Sequence, residues 1–405
     1  MVTMRVDGSI GLVRLGYRWA AELRRGQPAV ETRFLGRPAA VIGGPAGVRR
    51  FYDPRLRRQG AVPTPVSSVL FGRASIHGLD GDEHHHQKTM YIEALGPDSL
   101  GRLRDQARRQ WAAAARAWEP GRPFVLFDQA VHVLSAVAIA WSGIPCGPGE
   151  VSRRAGQLVA VLDGFASPGP RYLRARLARR RLDRWATALI RAVRTHHIVP
   201  DPGTALETTA EARDVTGRLS ADPAAAVALL NLVRPMVAVA WFVAFAGVAL
   251  DHQPWWRARI ADGDAAACTA FAHEVRRRYP FVPVLAARAR TDQDVLGVPV
   301  PDGGYVILDV DGTDRDPRHW PDPDRFDPGR FLGPTIAPGT LVPQGGGDLR
   351  TGHRCPGEAA TLVLLEEAVR RLALTRYDLP PQDLTVDLAR IPARPLSGVV
   401  AVTRR

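Results

Sequence analysis

One thiol stands out in a chain that has only three. Cys355 lies in the run Gln344-Gly345-Gly346-Gly347-Asp348-Leu-Arg-Thr-Gly352-His353-Arg354-Cys355-Pro356-Gly357-Glu358. This glycine-rich loop delivers it to the start of an apolar, helix-patterned segment, residues 359–374. Pro356 suits the first helical position and Glu358 the first turn. A cysteine placed there meets the positive end of a helix dipole and backbone N–H donors, which lower its pKa and favour the thiolate. The glycines let the backbone come close to something large and flat. That set of features fits an axial thiolate ligand to a haem iron. A lone thiol is more often an inert packing group. Zinc is a poorer alternative, because Cys146 and Cys268 are isolated and no Cys-x-x-Cys occurs.

A second chemical feature is a lone cation in a greasy helix. Residues 220–252, opened by Asp222-Pro223, read as the longest helix of the chain. At 1.5 Å per residue it spans on the order of 45 Å. Arg234 sits among apolar residues there, and no acidic residue lies between Asp222 and Asp251. A bare buried guanidinium is costly unless a carboxylate meets it. The bland alternative is that it reaches solvent or pairs with an acid from elsewhere in the protein. Pro235 removes one backbone hydrogen bond and kinks the helix locally, which suits a cavity wall. The uncharged run 236–250 is too short for a membrane span, so this is expected to be a core helix.

The elements that must position these groups are mostly helical. Residues 100–118, 129–141, 151–165 and 172–196 carry helical patterns, and 201–217 reads as an exposed polar connection. Strands are expected only near the ends, at 34–42, 305–310, 384–388 and 398–402, with Pro/Gly-rich coil over 317–347. The expectation is a single, mainly α domain over 1–405 with small peripheral β-sheets.

Composition narrows the class. The chain has 405 residues, 45% of them hydrophobic, which supplies ample core. Three cysteines without pairing logic indicate a reducing, cytoplasmic setting. Arg5, Asp7 and Arg14 interrupt any secretory apolar region. The formal charge of +13 suggests nucleic acid, but Lys88 is the only lysine, and acids are interspersed throughout. No aromatic-interleaved basic stripe occurs. The arginines between 171 and 194 alternate with Leu173, Leu177, Leu182 and Leu189 at helical spacing, and read as the solvated face of an amphipathic helix. A weak attraction to anionic surfaces or acidic substrates goes with such a face.

Two further segments accompany the cysteine loop in fixed order. Glu274-Val-Arg-Arg277 lies on a helix ending at Tyr279-Pro280, and Trp320-Pro-Asp-Pro-Asp-Arg-Phe326-Asp-Pro328-Gly-Arg330-Phe331 follows. A Glu-x-x-Arg helix, a Phe-x-Pro-x-Arg-Phe coil and a Gly-rich cysteine loop together resemble the haem-thiolate superfamily, the cytochromes P450. In that family Glu274, Arg277 and Arg330 match a buried structural triad. Upstream, 70–84 with Phe71, His77 and His84, Asn231-Leu-Val-Arg234-Pro235, 276–281 and Gln344-Gly-Gly-Gly-Asp348 are similar to the bacterial fatty-acid peroxygenase branch. The resemblance covers the chain from about residue 10 to its end. The loop lacks the Phe that opens the general superfamily pattern, although Gln344 agrees with the branch.

The resemblance implies the P450 fold, with haem b between the long helix and the loop of Cys355, the iron ligand. Arg58, His84, Lys88 and His353 are the implied partners of the haem propionates. Of the triplet His84-His85-His86, one member is expected to face the haem and two elsewhere, since neighbours on a helix point about 100° apart. Oxygen-activating members carry an acid–alcohol pair on the long helix, which is absent here. The implied reaction is therefore a hydrogen-peroxide-dependent hydroxylation of a fatty acid, or a similar amphipathic carboxylate, at the α or β carbon. Arg234 would clamp the carboxylate, which would serve as general acid–base. Phe71, His77 and Arg234 match the trio of the strongly alkene-forming member, so terminal alkene is a minority channel beside hydroxy acid. No redox partner, nucleic acid or membrane span is implied. Trp241, one and a half to two turns after Arg234, is a candidate to narrow the cavity. A reductase-dependent monooxygenase acting on another carboxylic acid, or a non-catalytic haem protein, are the competing readings.

Overall fold

The structure, a computed structural model, describes residues 7–333 and 335–404. Arg5, used above in reading the N-terminus, lies outside them. The long helix spans Asp222–His252 and runs unbroken through Pro235. It is long and apolar enough to cross a membrane, yet nine-tenths of its most apolar stretch is buried inside the protein. It is apolar all round because other helices cover it all round. Leu126–Trp141, Pro170–Arg194 and Glu358–Leu374 pack against it, and all share one large hydrophobic cluster.

Most expected helices hold within a turn: Pro97–Ala117, Leu126–Trp141, Pro148–Gly164 and Pro170–Arg194. Three of these start at a proline, whose missing N–H costs nothing in the first turn. The arginine-rich helix differs in its facing. Leu182 and Leu189 are buried, but Leu173 and Leu177 are 58% and 52% exposed. Ala175, Ala178, Ala186 and Ile190 complete the buried seam with Leu182 and Leu189. Arg179, counted above with the solvated arginines, is buried in the same seam. The polar connection 201–217 is not simply exposed, because Ala205–Ala210 forms a short helix with Leu206 and Thr209 buried.

The sheets lie off the helical body. Five strands run in the order Ala29–Phe34, Arg37–Ile42, Tyr305–Asp309, Val284–Ala289, Leu56–Arg57. The single strand expected at 34–42 is a hairpin, turned at Leu35 and Gly36 with φ of 50° and 75°. Positive φ at both central residues is what a tight hairpin turn needs, and Gly36 supplies half of it at no cost. The strand expected at 384–388 is absent: Val386 makes one isolated bridge, to Pro395, whose nitrogen has no hydrogen to extend a ladder. Val400–Thr403 pairs with Pro123–Val125 and Tyr377–Asp378 in a three-stranded sheet.

Glu274 and Arg277 meet on the helix Ala265–Arg278, with both side chains fully buried and Nε to Oε2 at 2.7 Å. Arg330 Nε lies 3.7 Å from Glu274 Oε1. The Asp327 N–H donates to that oxygen at 2.8 Å, while Arg277 donates to the carbonyls of Asp314 and Pro323. The triad thus fastens the coil before the cysteine loop to the helical body.

Candidate active site

The cysteine loop and the long helix face each other across a cleft. Its walls are Cys355, Pro356, Gly357, Ala360, Thr361 and Leu364 on one side, and Asn231, Leu232, Pro235 and Met236 on the other. Ile76 and His77 close one end. The cleft holds about 550 Å³ of atom-free volume, part of it open to solvent.

The loop positions Cys355 through its backbone. The Cys355 N–H donates to the Gln344 carbonyl at 3.2 Å, and Gln344 Nε2 bonds Thr361 Oγ1 at 2.9 Å. The following helix begins at Glu358, so Pro356 lies in the turn before it and is not its first residue. The expected depression of the thiol pKa is not found. Burial pushes it up, and the Gly357 N–H and the Lys88 charge pull the other way without prevailing. A thiolate here needs a positive ligand in the cleft. The glycines also have a partner within the protein. Gly346 N–H donates to Tyr52 Oη at 2.8 Å, and a Cβ on Gly345 or Gly347 would come within 2.6 or 2.7 Å of the Tyr52 side chain.

Beside the thiol lies a group of basic residues drawn from three segments. Lys88, 1% exposed on the helix Gly81–Ala94, donates to the Arg354 carbonyl, and burial lowers its pKa to about 8. The rings of His84 and His353 stand 3.8 Å apart, and burial holds His84 at about 3. Arg58 lies 4.1 Å above the Phe51 ring, with a pKa lowered by burial to about 10. Asp80, not foreseen from sequence, joins them. It sits 3.4 Å from His353 Nε2 and accepts the Arg58 N–H at 3.0 Å. Although burial opposes it, the His353 hydrogen bond and these N–H donors hold Asp80 at about 2. His85 and His86 each bond a backbone carbonyl, of Thr351 and Arg213.

On the long helix, next to Pro235 of the cleft wall, Arg234 is 6% exposed. Its Nη2 donates to Asn231 Oδ1 at 3.0 Å, while Nε is buried without a partner. A helical neighbour does therefore meet it, but through a neutral amide. Burial pulls its pKa down to about 9, with the nearby charge of Arg179 adding to the effect. Asn231 Nδ2 in turn donates to the Phe71 carbonyl at 2.9 Å. The Phe71 ring lies 5.4 Å from the guanidinium carbon and stacks on His77 at 3.8 Å and 13°. His77 opens onto the cleft but is hemmed in by protein elsewhere. That enclosure, and then the Arg234 charge, push its pKa well below 6.5.

The structure thus puts His77 and Pro235 on the cleft wall, while Phe71 and Arg234 lie behind it, joined to it through His77 and Asn231. Arg58, His84, Lys88 and His353 gather beside the thiol. Trp241 stands apart: fully buried, it packs edge-on against Phe127 at 4.8 Å and is absent from the cleft wall. Sequence reasoning gave no role to Asn231, Arg179 or Asp80. The run Asn231-Leu-Val-Arg234 did hold a clue, since residues three apart share a helix face.

These residues fit a haem. A thiol on a cleft wall, the cations Lys88 and Arg58 beside it against Asp80, and a buried guanidinium with a free N–H behind the opposite wall fit a thiolate-ligated, dianionic macrocycle with an anionic co-substrate.

Comparison with known proteins bears on the same point. A family model described as cytochrome P450 matches residues 267–360. Among curated proteins, cytochrome P450 132 of Mycobacterium tuberculosis is 35% identical over 162 residues, so the match spans about a third of that relative: 34% of it and 38% of this chain. Erythromycin C-12 hydroxylase of Saccharopolyspora erythraea is 28% identical over 348 residues, 78% of this chain and 77% of that one. Solved structures match throughout. A single-substitution variant of cytochrome P450 OleT in complex with arachidonic acid has a TM-score of 0.94 at 32% identity, covering 100% of this chain and 99% of that one. Cytochrome P450SP alpha with (R)-ibuprophen gives 0.94 at 36%, with 98% of each chain covered. Cytochrome P450EX alpha with myristic acid gives 0.92 at 35%, with 98% and 96% covered.

Proposed function

From the premise that this chain belongs to the cytochrome P450 family, in its fatty-acid peroxygenase branch, we propose how its residues carry out hydrogen-peroxide-dependent oxidation of a fatty acid. It is a haem b oxidoreductase of mainly α fold with small sheets. Neighbours crystallised with arachidonic and myristic acids support a long-chain acid as substrate. The observation that carries the reading is Arg234: a buried cation on the long helix, held by Asn231 of the cleft wall, with an unsatisfied N–H and no carboxylate partner among the described residues.

Cys355 would hold the haem through its sulfur, and Arg58, Lys88, His84 and His353 would meet its propionates. When bound, haem b would supply the iron that activates peroxide and oxidises the substrate. Arg234 binds the fatty-acid carboxylate, and Asn231 fixes the guanidinium by occupying one of its N–H groups. The bound carboxylate is the general base and then the general acid that the helix lacks: it takes a proton from one peroxide oxygen and returns it to the other. Anchoring that end of the chain leaves the α and β carbons nearest the reaction. Phe71 and Pro235 wall the carboxylate end and exclude water. His77, neutral at pH 7, can donate one N–H hydrogen bond but carries no charge into the site. It biases the product toward alkene as a minority beside hydroxy acid. We read the whole chain as one such domain, working without an obligatory redox partner. With its three cysteines unpaired, we place it in the cytoplasm.

The test is turnover of the purified haem protein on long-chain fatty acids with hydrogen peroxide alone, with the methyl esters as controls. Hydroxy acids or alkenes from free acids only are expected, and Arg234→Ala should lose them. Equal turnover of the esters, full activity in Arg234→Ala, or a requirement for NAD(P)H and a reductase would overturn the reading.

A further inference from the structure

The helix Pro170–Arg194 has a buried seam that the site uses and an outer face that nothing described so far uses. Arg174, Arg176, Arg180, Arg181 and Arg184 are all exposed on that face. None has a carboxylate partner among the described residues; the helix's own acid, Asp183, is taken by Arg179. Among these arginines Leu173 and Leu177 are exposed one turn apart. Their burial against the protein would be the ordinary result for leucines on an amphipathic helix. Ala175 and Ala178 fill this part of the seam instead, and these two leucines are left outside.

A solvated face needs the arginines but not the leucines. A phosphate-rich polymer would meet the arginines, yet the face has no exposed aromatic ring for a base to stack on, and the leucines would find no partner. An anionic lipid surface satisfies both. Guanidinium groups pair with headgroup phosphates, and two aliphatic side chains enter the acyl boundary beside them. We propose that this face docks the protein reversibly on an anionic lipid surface. The inference rests on this helix alone and stands or falls separately from the reaction assigned to the cleft.

The experiment is co-sedimentation of the holoprotein with vesicles of phosphatidylglycerol or of phosphatidylcholine, at low and raised salt. Wild type should bind the first and not the second, and salt should release it. Arg176→Gln, Arg180→Gln and Arg181→Gln combined should lower partition on the order of 100-fold, as the loss of three phosphate-facing arginines would. Leu173→Ser with Leu177→Ser should weaken binding while leaving its salt dependence in place. All these side chains are exposed, so both variants should keep the wild-type melting temperature and turnover of dissolved substrate. Equal binding to both lipids, or variants that bind as wild type does, would overturn the proposal. So would binding to duplex DNA that these arginines control, in the absence of vesicle binding.

Discussion

At the scale of single residues, the two groups that define the site were legible because each breaks a local rule. Cys355 follows a run of glycines, and Arg234 stands in an apolar helix without an acid nearby. Asn231 and Phe71 were not legible as partners, since the hydrogen bond joining them spans 160 positions. The arrangement makes charge alone insufficient at Arg234. Arg234→Lys keeps the charge but loses the planar donor set that serves Asn231 and a carboxylate together. It should therefore fall well short of wild type, and Arg234→Ala should lose about 3 kcal/mol, a hundredfold or more in kcat/KM. Equal kcat/KM for the lysine variant and wild type would reduce the role to electrostatics. His77 makes a pH prediction. Its folded-state pKa lies well below 6.5, so it stays neutral as pH falls through the ordinary histidine range. The ratio of alkene to hydroxy acid should then be flat between about pH 6 and 8. A ratio that titrates with a midpoint near 6.5 would mean that His77 acts as an imidazolium.

At the scale of elements, helices were readable and sheets were not. A helix states itself within its own period, whereas Val284–Ala289 exists because Tyr305–Asp309 and Leu56–Arg57 lie beside it. The arginine-rich helix shows the limit of pattern reading, for two of its four leucines, Leu173 and Leu177, lie outside the buried seam. That seam reaches the active site. Arg179 Nε pairs with Asp183 at 2.7 Å, and Nη1 donates to the Leu70 carbonyl at 3.3 Å. The guanidinium lies against Gly72, where φ is +91° and a Cβ would stand 2.1 Å from Nη2. Arg179 therefore holds the turn that presents Phe71 to Arg234. Arg179→Met should lower fatty-acid affinity by roughly tenfold and shift the hydroxy-acid to alkene ratio, at a small cost in stability. A merely structural arginine would change the melting temperature and leave that ratio alone. Gly72→Ala should cost more than about 1 kcal/mol by denaturant titration, because both the dihedral and the space refuse a methyl group.

At the scale of the whole molecule, the core divides into three hydrophobic clusters, and the apolar lining of the cleft comes from the largest. The resemblance to the cytochromes P450 implied that Glu274, Arg277 and Arg330 belong together, but not how far their network extends. Arg277 bonds Glu274 twice and also reaches the Asp314, Pro323 and Arg325 carbonyls. The acid end holds the Asp327 N–H. One buried carboxylate thus neutralises a cation that organises the coil leading to the cysteine loop. Removing the charge leaves Arg277 buried and uncompensated, which costs far more than the pair gains. Glu274→Gln should destabilise the protein by about 3–5 kcal/mol in urea titration with an unchanged m-value. Replacing Glu274 and Arg277 together by methionine should restore part of that loss, since no buried charge is then stranded between them. Because the triad touches neither wall of the cleft, whatever fraction of Glu274→Gln folds with haem should keep the wild-type product ratio. Unaltered stability in the single variant would show that the coil is held by its packing, not by the triad. An altered product ratio would place the triad in the chemistry.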